Sequence, residues 1–144
     1  MGVIVVGVDG SEGAAIALDF AIREAALRGS TLRLVSAWEI PASVLASVVA
    51  GKEFYEEFRE TAIRVAEEAA AIVVERAPAV EHEEIVVEGH AGKVLVENAL
   101  DAELLVVGRR GHGTIREMLL GSISRHVVAN AKVPLVIVTA PQEK

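Results

Sequence analysis

The residues with the clearest chemical potential lie in two glycine-rich segments. The first is Gly7-Val8-Asp9-Gly10-Ser11. The second starts Gly108-Arg109-Arg110-Gly111-His112-Gly113-Thr114 and continues to Gly121-Ser122-Ile123-Ser124, which gives the spacing G-x2-G-x9-G-S. Glycines so placed let backbone N–H groups approach phosphate oxygens with no Cβ in the way. A Gly-Ser pair opening a helix adds hydroxyls and the positive end of the helix dipole. Between Gly108 and His126 stand Arg109, Arg110, Arg116 and Arg125 against the single acid Glu117. In a chain of formal net charge −7 that local excess of cations favours a polyanionic ligand. Plainer duties compete for the same residues. The glycines could serve turns and helix C-caps, the arginines a solvated face, and Asp9 the cap of the first helix. His112 could touch a phosphate or stand in an exposed loop.

These segments need elements to position them. Five short runs rich in β-branched and aliphatic residues read as strands: 3–8, 32–38, 84–87, 104–107 and 135–138. They lack alternation, as strands covered on both faces should. Helical patterns lie between them. The first has Ser11 as N-cap, an apolar face of Ala14, Leu18, Ala21, Ile22 and Ala25, and a stop at Gly29. The second carries Phe54, Phe58, Ala62, Val65, Ala69, Ile72 and Val73 at intervals of three or four and ends before Pro78. Residues 91–100 and 122–131 supply two more, with Val94, Leu95, Ala99 and then Ile123, Val127, Val128 facing inward. Strict β-α alternation makes a five-stranded parallel sheet with helices on both faces, a three-layer α/β/α architecture. Residues 39–51 interrupt the pattern and read as a mobile or partly helical excursion. Pro134 has no N–H and suits the start of an edge strand. In such a sheet ligands bind beyond the carboxyl ends of the strands, where both glycine segments lie.

Composition sets the outer bounds. A length of 144 residues suits one domain spanning 1–144. Apolar residues make up 52% and aromatics only 3%, so the core must be built from Val, Leu, Ile and Ala. The acidic balance argues against general nucleic-acid binding. Cysteine is absent, which excludes disulfides, thiolate metal sites and Cys nucleophiles, and agrees with a reducing, cytoplasmic setting. No apolar run approaches the roughly 18 residues of a membrane span.

The spacing G-x2-G-x9-G-[S/T], in the loop after the fourth strand and entering the last helix, resembles the nucleotide-binding motif of ATP-binding universal stress proteins. The likeness covers the whole chain: Ile4-Val5-Val6-Gly7-Val8-Asp9-Gly10-Ser11, the Glu88-Gly89-His90-Ala91 turn, Leu104-Leu105-Val106-Val107-Gly108-Arg109-Arg110-Gly111 and Lys132-Val133-Pro134-Leu135-Val136-Ile137-Val138. The resemblance implies strand order 3-2-1-4-5, an adenine nucleotide alpha hydrolase-like fold, and ATP lying across strands one and four. It implies that Asp9, after Val8, lies near the nucleoside and the magnesium-bridged phosphates, and that Ala37 lines an adenine pocket. Val107 and Ile123 would flank ribose and phosphates, Gly108 and Gly111 would cradle them, and Gly121, Ser122 and Ser124 would bind the terminal phosphates. Arg110 and His112 occupy variable positions of the motif within the same site. Homodimerisation through the last strand and a role in stress response are implied as well.

Other phosphate chemistries fit less well. A P-loop requires G-x4-G-K-[S/T], and Gly89-His90-Ala91-Gly92-Lys93-Val94 is two residues short and ends in Val. The dinucleotide fingerprint G-x-G-x-x-G is not met by Gly7, Gly10 and Gly13. A phospho-acceptor domain would want further acids and a Lys, of which only Asp9 is present. Three readings stay open: a regulatory ATP binder, a slow ATPase on the same site, and a nucleotide-free dimeric module. No base or water-positioning residue can be assigned, which favours binding without fast turnover. A phosphate loop reads charge more than chain length, so AMP and cyclic nucleotides stay open beside ATP.

Overall fold

The apolar runs pair as strands because they are short and rich in Val, Ile and Leu; β1, β2 and β4 are largely buried, while the edge strand β3 exposes Glu83 and Glu84. The computed structural model describes residues 2–47, 52–109 and 120–140. Its elements run β1 (Val3–Gly7), α1 (Glu12–Arg28), β2 (Thr31–Trp38), α2 (Ala42–Ser47), α3 (Lys52–Arg76), β3 (His82–Glu88), α4 (Ala91–Asn98), β4 (Leu104–Gly108), α5 (Ser122–Asn130) and β5 (Leu135–Val138). All strands pair in parallel in the order β3-β2-β1-β4-β5. That is the order the resemblance implied. The chain reverses its winding between β1 and β4, so their carboxyl ends open a crevice.

Period-two geometry sorts the strand residues between two apolar layers. Ile4, Val6, Leu32, Leu34, Leu104 and Val106 pack under Ala17, Leu18, Ala21 and Ile22 of α1 and Ala69, Ala70 and Val73 of α3. Val5, Val35, Leu105 and Val107 pack on the other face against Val94 and Leu95 of α4, Ala99 at its C-cap, and Val127 of α5. Small alanines on α1 and α3 let those helices sit close to the sheet. This is how a core with few aromatic rings reaches full packing.

Local signals set the helix ends. Ser11 is the N-cap of α1, its hydroxyl accepting the Ala14 N–H at 3.1 Å, and Gly29 is the C-cap at φ 66°. Residues 39–51 contain the short helix α2, which starts after Pro41, whose carbonyl accepts the Val44 N–H at 2.9 Å. Pro134 falls just ahead of β5 and offers its carbonyl to the Leu105 N–H at 2.9 Å, at the start of an edge strand where a proline is tolerated.

Two inward placements are corrected. Phe54 is 36% exposed at the start of α3, and Val128 is 51% exposed on α5. On α5 the inward positions are taken by Ser124 and Val127, which lie three apart, and the next residue turns about 100° toward solvent. The third helix of the alternating pattern, observed as α4, also ends earlier than periodicity suggests. Asn98 bonds back to the Val94 carbonyl at 2.8 Å, and Leu100 is exposed in the turn that follows.

At the end of the sheet opposite the crevice, Arg33 of β2 joins three elements. Its guanidinium donates to both carboxylate oxygens of Asp101 at 2.7 and 3.2 Å, to the Asn98 carbonyl at 2.8 Å, and to Glu83 of β3. The hydrogen bond from Arg33 holds the Asp101 carboxyl below the usual carboxylate range, and those to Asp101 and Glu83 push the guanidinium further up. Nothing in the spacing of these residues signalled the clamp, because it depends on strand register.

Candidate functional site

The crevice forms where β1, β2 and β4 end beside the first turns of α1, α4 and α5. It is lined by Gly7, Val8, Asp9, Ser11, Ala14, Val35, Ala37, Ala91, Leu95, Val107, Gly108, Ile123 and Ser124, and has an empty volume of about 500 Å³ including its open mouth. Its floor is apolar, built from Val8, Val35, Ala37, Leu95 and Val107, while Asp9, Ser11 and Ser124 supply the polar rim. A flat apolar group with a charged tail matches that division.

Each rim residue is held by its own turn. Gly10 sits at φ 80°, a conformation that a side chain would disfavour, and it lets the chain double back from β1 into α1. Asp9 is half-buried, and its Oδ1 accepts the Ser11 N–H at 2.8 Å. The capping reading of Asp9 is therefore met only through the turn, since Ser11 itself caps the helix. Val8 is tied to β2 through its N–H to the Val35 carbonyl at 2.9 Å.

On the opposite wall Gly121 is the N-cap of α5, and no side chain caps it. The Gly121 N–H is already bonded to the Arg109 carbonyl at 3.0 Å, and the Arg125 N–H closes the first turn onto the Gly121 carbonyl at 3.0 Å. The amides of Ser122, Ile123 and Ser124 occupy the first turn, where an α-helix has no internal acceptor for them. They are the donors this wall can offer an anion. The Ser124 hydroxyl is buried and donates to the Gly108 and Arg109 carbonyls at 2.7 and 3.0 Å.

Seven of the residues expected from the sequence line this one crevice: Val8, Asp9, Ala37, Val107, Gly108, Ile123 and Ser124. Gly121 and Ser122 stand at the head of α5, Gly121 buried and Ser122 exposed, and neither is part of the lining. Arg110, Gly111 and His112 lie outside the described residues. The lining also includes Ser11, Ala14, Val35, Ala91 and Leu95, which motif spacing did not single out as site residues. Ala91 and Leu95 are four apart on α4, a helical spacing that marks a shared face, yet only the crossover from β3 puts that face over the β1 end.

Trp38, the sole tryptophan, follows Ala37 and points to the other side of β2. Its ring meets Tyr55 edge-on, with centroids 4.8 Å apart and planes at 82°, while the Tyr55 hydroxyl donates to Glu88 at 2.7 Å.

Among known proteins, a model of the universal stress protein family matches residues 1–139. The universal stress protein Rv2005c of Mycobacterium tuberculosis is 35% identical over 134 residues, which is 93% of this chain and 44% of that protein. The chain spans less than half the length of such curated relatives. A universal stress protein solved in complex with cAMP superposes with a TM-score of 0.70 at 31% identity, over 95% of this chain and 96% of that one. The universal stress protein from Archaeoglobus fulgidus in complex with dAMP gives a TM-score of 0.70 at 26% identity, over 95% and 97% of the two chains.

Proposed function

The chain belongs to the universal stress protein family, and from that premise we propose that it binds an adenine nucleotide, with ATP and magnesium as the physiological form. The reading extends to a cytoplasmic regulatory protein of the stress response that works as a homodimer through β5 and turns ATP over slowly if at all. One observation carries it. The apolar floor at Ala37, Val35 and Leu95 and the open amides at the start of α5 converge on one crevice at the β1/β4 switch point. The floor suits an adenine ring, and the helix start suits phosphates. The relatives solved with cAMP and dAMP, both adenosine-type monophosphates, support an adenine nucleotide as the ligand. Asp9 fits a magnesium ion bridged through the phosphates. Among the described residues no group of three or more His, Asp or Glu could hold a metal by itself, so the ion would arrive with the nucleotide. No helix among the described residues is long and apolar enough to cross a membrane.

The test is to denature purified protein, identify any nucleotide released, and then melt nucleotide-free protein with ATP and magnesium, AMP or cAMP. At about 100 times its dissociation constant a ligand of the native state adds roughly 2.7 kcal/mol of stability. A melting curve indifferent to every adenine nucleotide at millimolar concentration would sink the reading. Asp9→Asn separates the two duties of that residue. It keeps the acceptor for the Ser11 N–H and removes the charge, so ATP binding should lose its magnesium dependence while AMP binding changes little. Parental magnesium dependence in the variant would confine Asp9 to the turn.

A further inference from the structure

Ser124 is the one polar residue of the α5 first turn that is buried, at 2% exposure, and a ligand role for its hydroxyl competes with what that hydroxyl already does. The group has a single hydrogen, and it is shared between the carbonyls of Gly108 at 2.7 Å and Arg109 at 3.0 Å. None remains to donate to a phosphate. The Arg109 carbonyl accepts a second bond, from the Gly121 N–H at 3.0 Å. These bonds tie the end of β4 to the head of α5, although residues 110–120 separate them in the chain. Gly108 meanwhile presses on the other helix of the site. A Cβ there would lie 2.5 Å from the Gly13 carbonyl oxygen, so the first turn of α1 packs directly on the same strand end. Two of the three helix starts that face the crevice, those of α1 and α5, are thus referenced to one point.

We propose that Ser124 is a positioning residue for the nucleotide: its hydroxyl latches the first turn of α5 to the last carbonyls of β4 and aims the turn's amides at the crevice, without touching the ligand. This deepens the adenine-nucleotide reading above and rests on it. Amide donors act on an anion only within a narrow range of distance and angle, so a turn released by a fraction of an ångström loses affinity although every donor is still present. Removing the hydroxyl also takes the donor from the Gly108 carbonyl and one of two donors from the Arg109 carbonyl.

The test compares the parent with Ser124→Ala, Ser124→Thr and Ser122→Ala by two measurements: ATP affinity by titration calorimetry, and backbone amide exchange in nucleotide-free protein. Ser124→Ala should bind ATP about tenfold more weakly and exchange the Gly121 amide about tenfold faster, the loss of roughly one buried hydrogen bond. Ser124→Thr keeps the hydroxyl and should restore both. Ser122→Ala should weaken ATP binding with Gly121 exchange unchanged, the signature of a residue that meets the ligand directly. Parental affinity in Ser124→Ala would overturn the proposal. So would weaker binding with Gly121 exchange at the parental rate, because Ser124 would then be a ligand. A parent that binds no adenine nucleotide would overturn the proposed function and the affinity claim together, while the exchange result would still decide the latch separately.

Discussion

Gly108 shows how a single missing carbon can serve packing where motif spacing suggests ligand contact. Its place in G-x2-G-x9-G-S reads as room for a phosphate, whereas a Cβ there would meet the Gly13 carbonyl oxygen at 2.5 Å and the Gly13 carbonyl carbon at 2.7 Å. The obstacle is backbone rather than a flexible side chain, so Gly108→Ala should force β4 and the first turn of α1 apart. The expected cost is about 1–3 kcal/mol, the usual range for overpacking. Urea unfolding should show it as a lower midpoint with an unchanged slope. An alanine variant with the parental midpoint would mean that the α1 turn yields freely, and the glycine would then be left to the ligand. Gly10 differs, because its positive φ is demanded by the turn itself whatever lies nearby.

Among the elements, β2 is the member that both ends of the sheet depend on. Its carboxyl end places Ala37 in the crevice, and its amino half carries Arg33 into the clamp with Asp101, Glu83 and the Asn98 carbonyl. The clamp fixes the α4 to β4 connection against β2 and so helps hold α4 over the site. Because Arg33 lowers the Asp101 carboxyl in the folded state, the stability it adds is present above the unfolded carboxyl value of about 3.9 and is lost as pH falls through the lower folded value. Asp101 is open to solvent, so the contribution is small and screened by salt. Asp101→Asn should melt a little lower than the parent at neutral pH, and the two should converge below about pH 4. A constant gap in melting temperature across that range would assign the difference to something other than the ion pair.

For the molecule as a whole, the open question of assembly falls on β5. All four of its residues are only half-buried, and the strand forms one edge of the sheet. The carbonyls of Pro134 and Val138 face β4, where they accept the Leu105 and Arg109 N–H groups at 2.9 and 3.0 Å. Strand periodicity therefore turns the N–H groups of Leu135 and Ile137 to the outer edge. A dimer formed through that edge should be broken by Ile137→Pro, which deletes an outward donor and leaves the ladder to β4 intact. Sedimentation would report a shift from dimer to monomer mass, with a thermal melt to show that the fold persists. A folded proline variant that still sediments as a dimer would move the interface elsewhere.

The β-α alternation, the inward faces of α1 and α4, and the Ser11 and Gly29 caps were all legible from residue order, because each rests on interactions a few positions apart. Strand order came from family resemblance rather than from periodicity, since a parallel strand carries no local mark of its neighbour. What only the tertiary structure decided lies at junctions between distant segments. Gly108 against Gly13, the Ser124 hydroxyl on the ends of β4, Ala91 and Leu95 over the crevice, and Arg33 on Asp101 all join residues brought close by crossovers. Patterning along a chain records which face of an element is apolar. Which partner that face meets, and which donors are already taken when it does, is settled by packing in three dimensions.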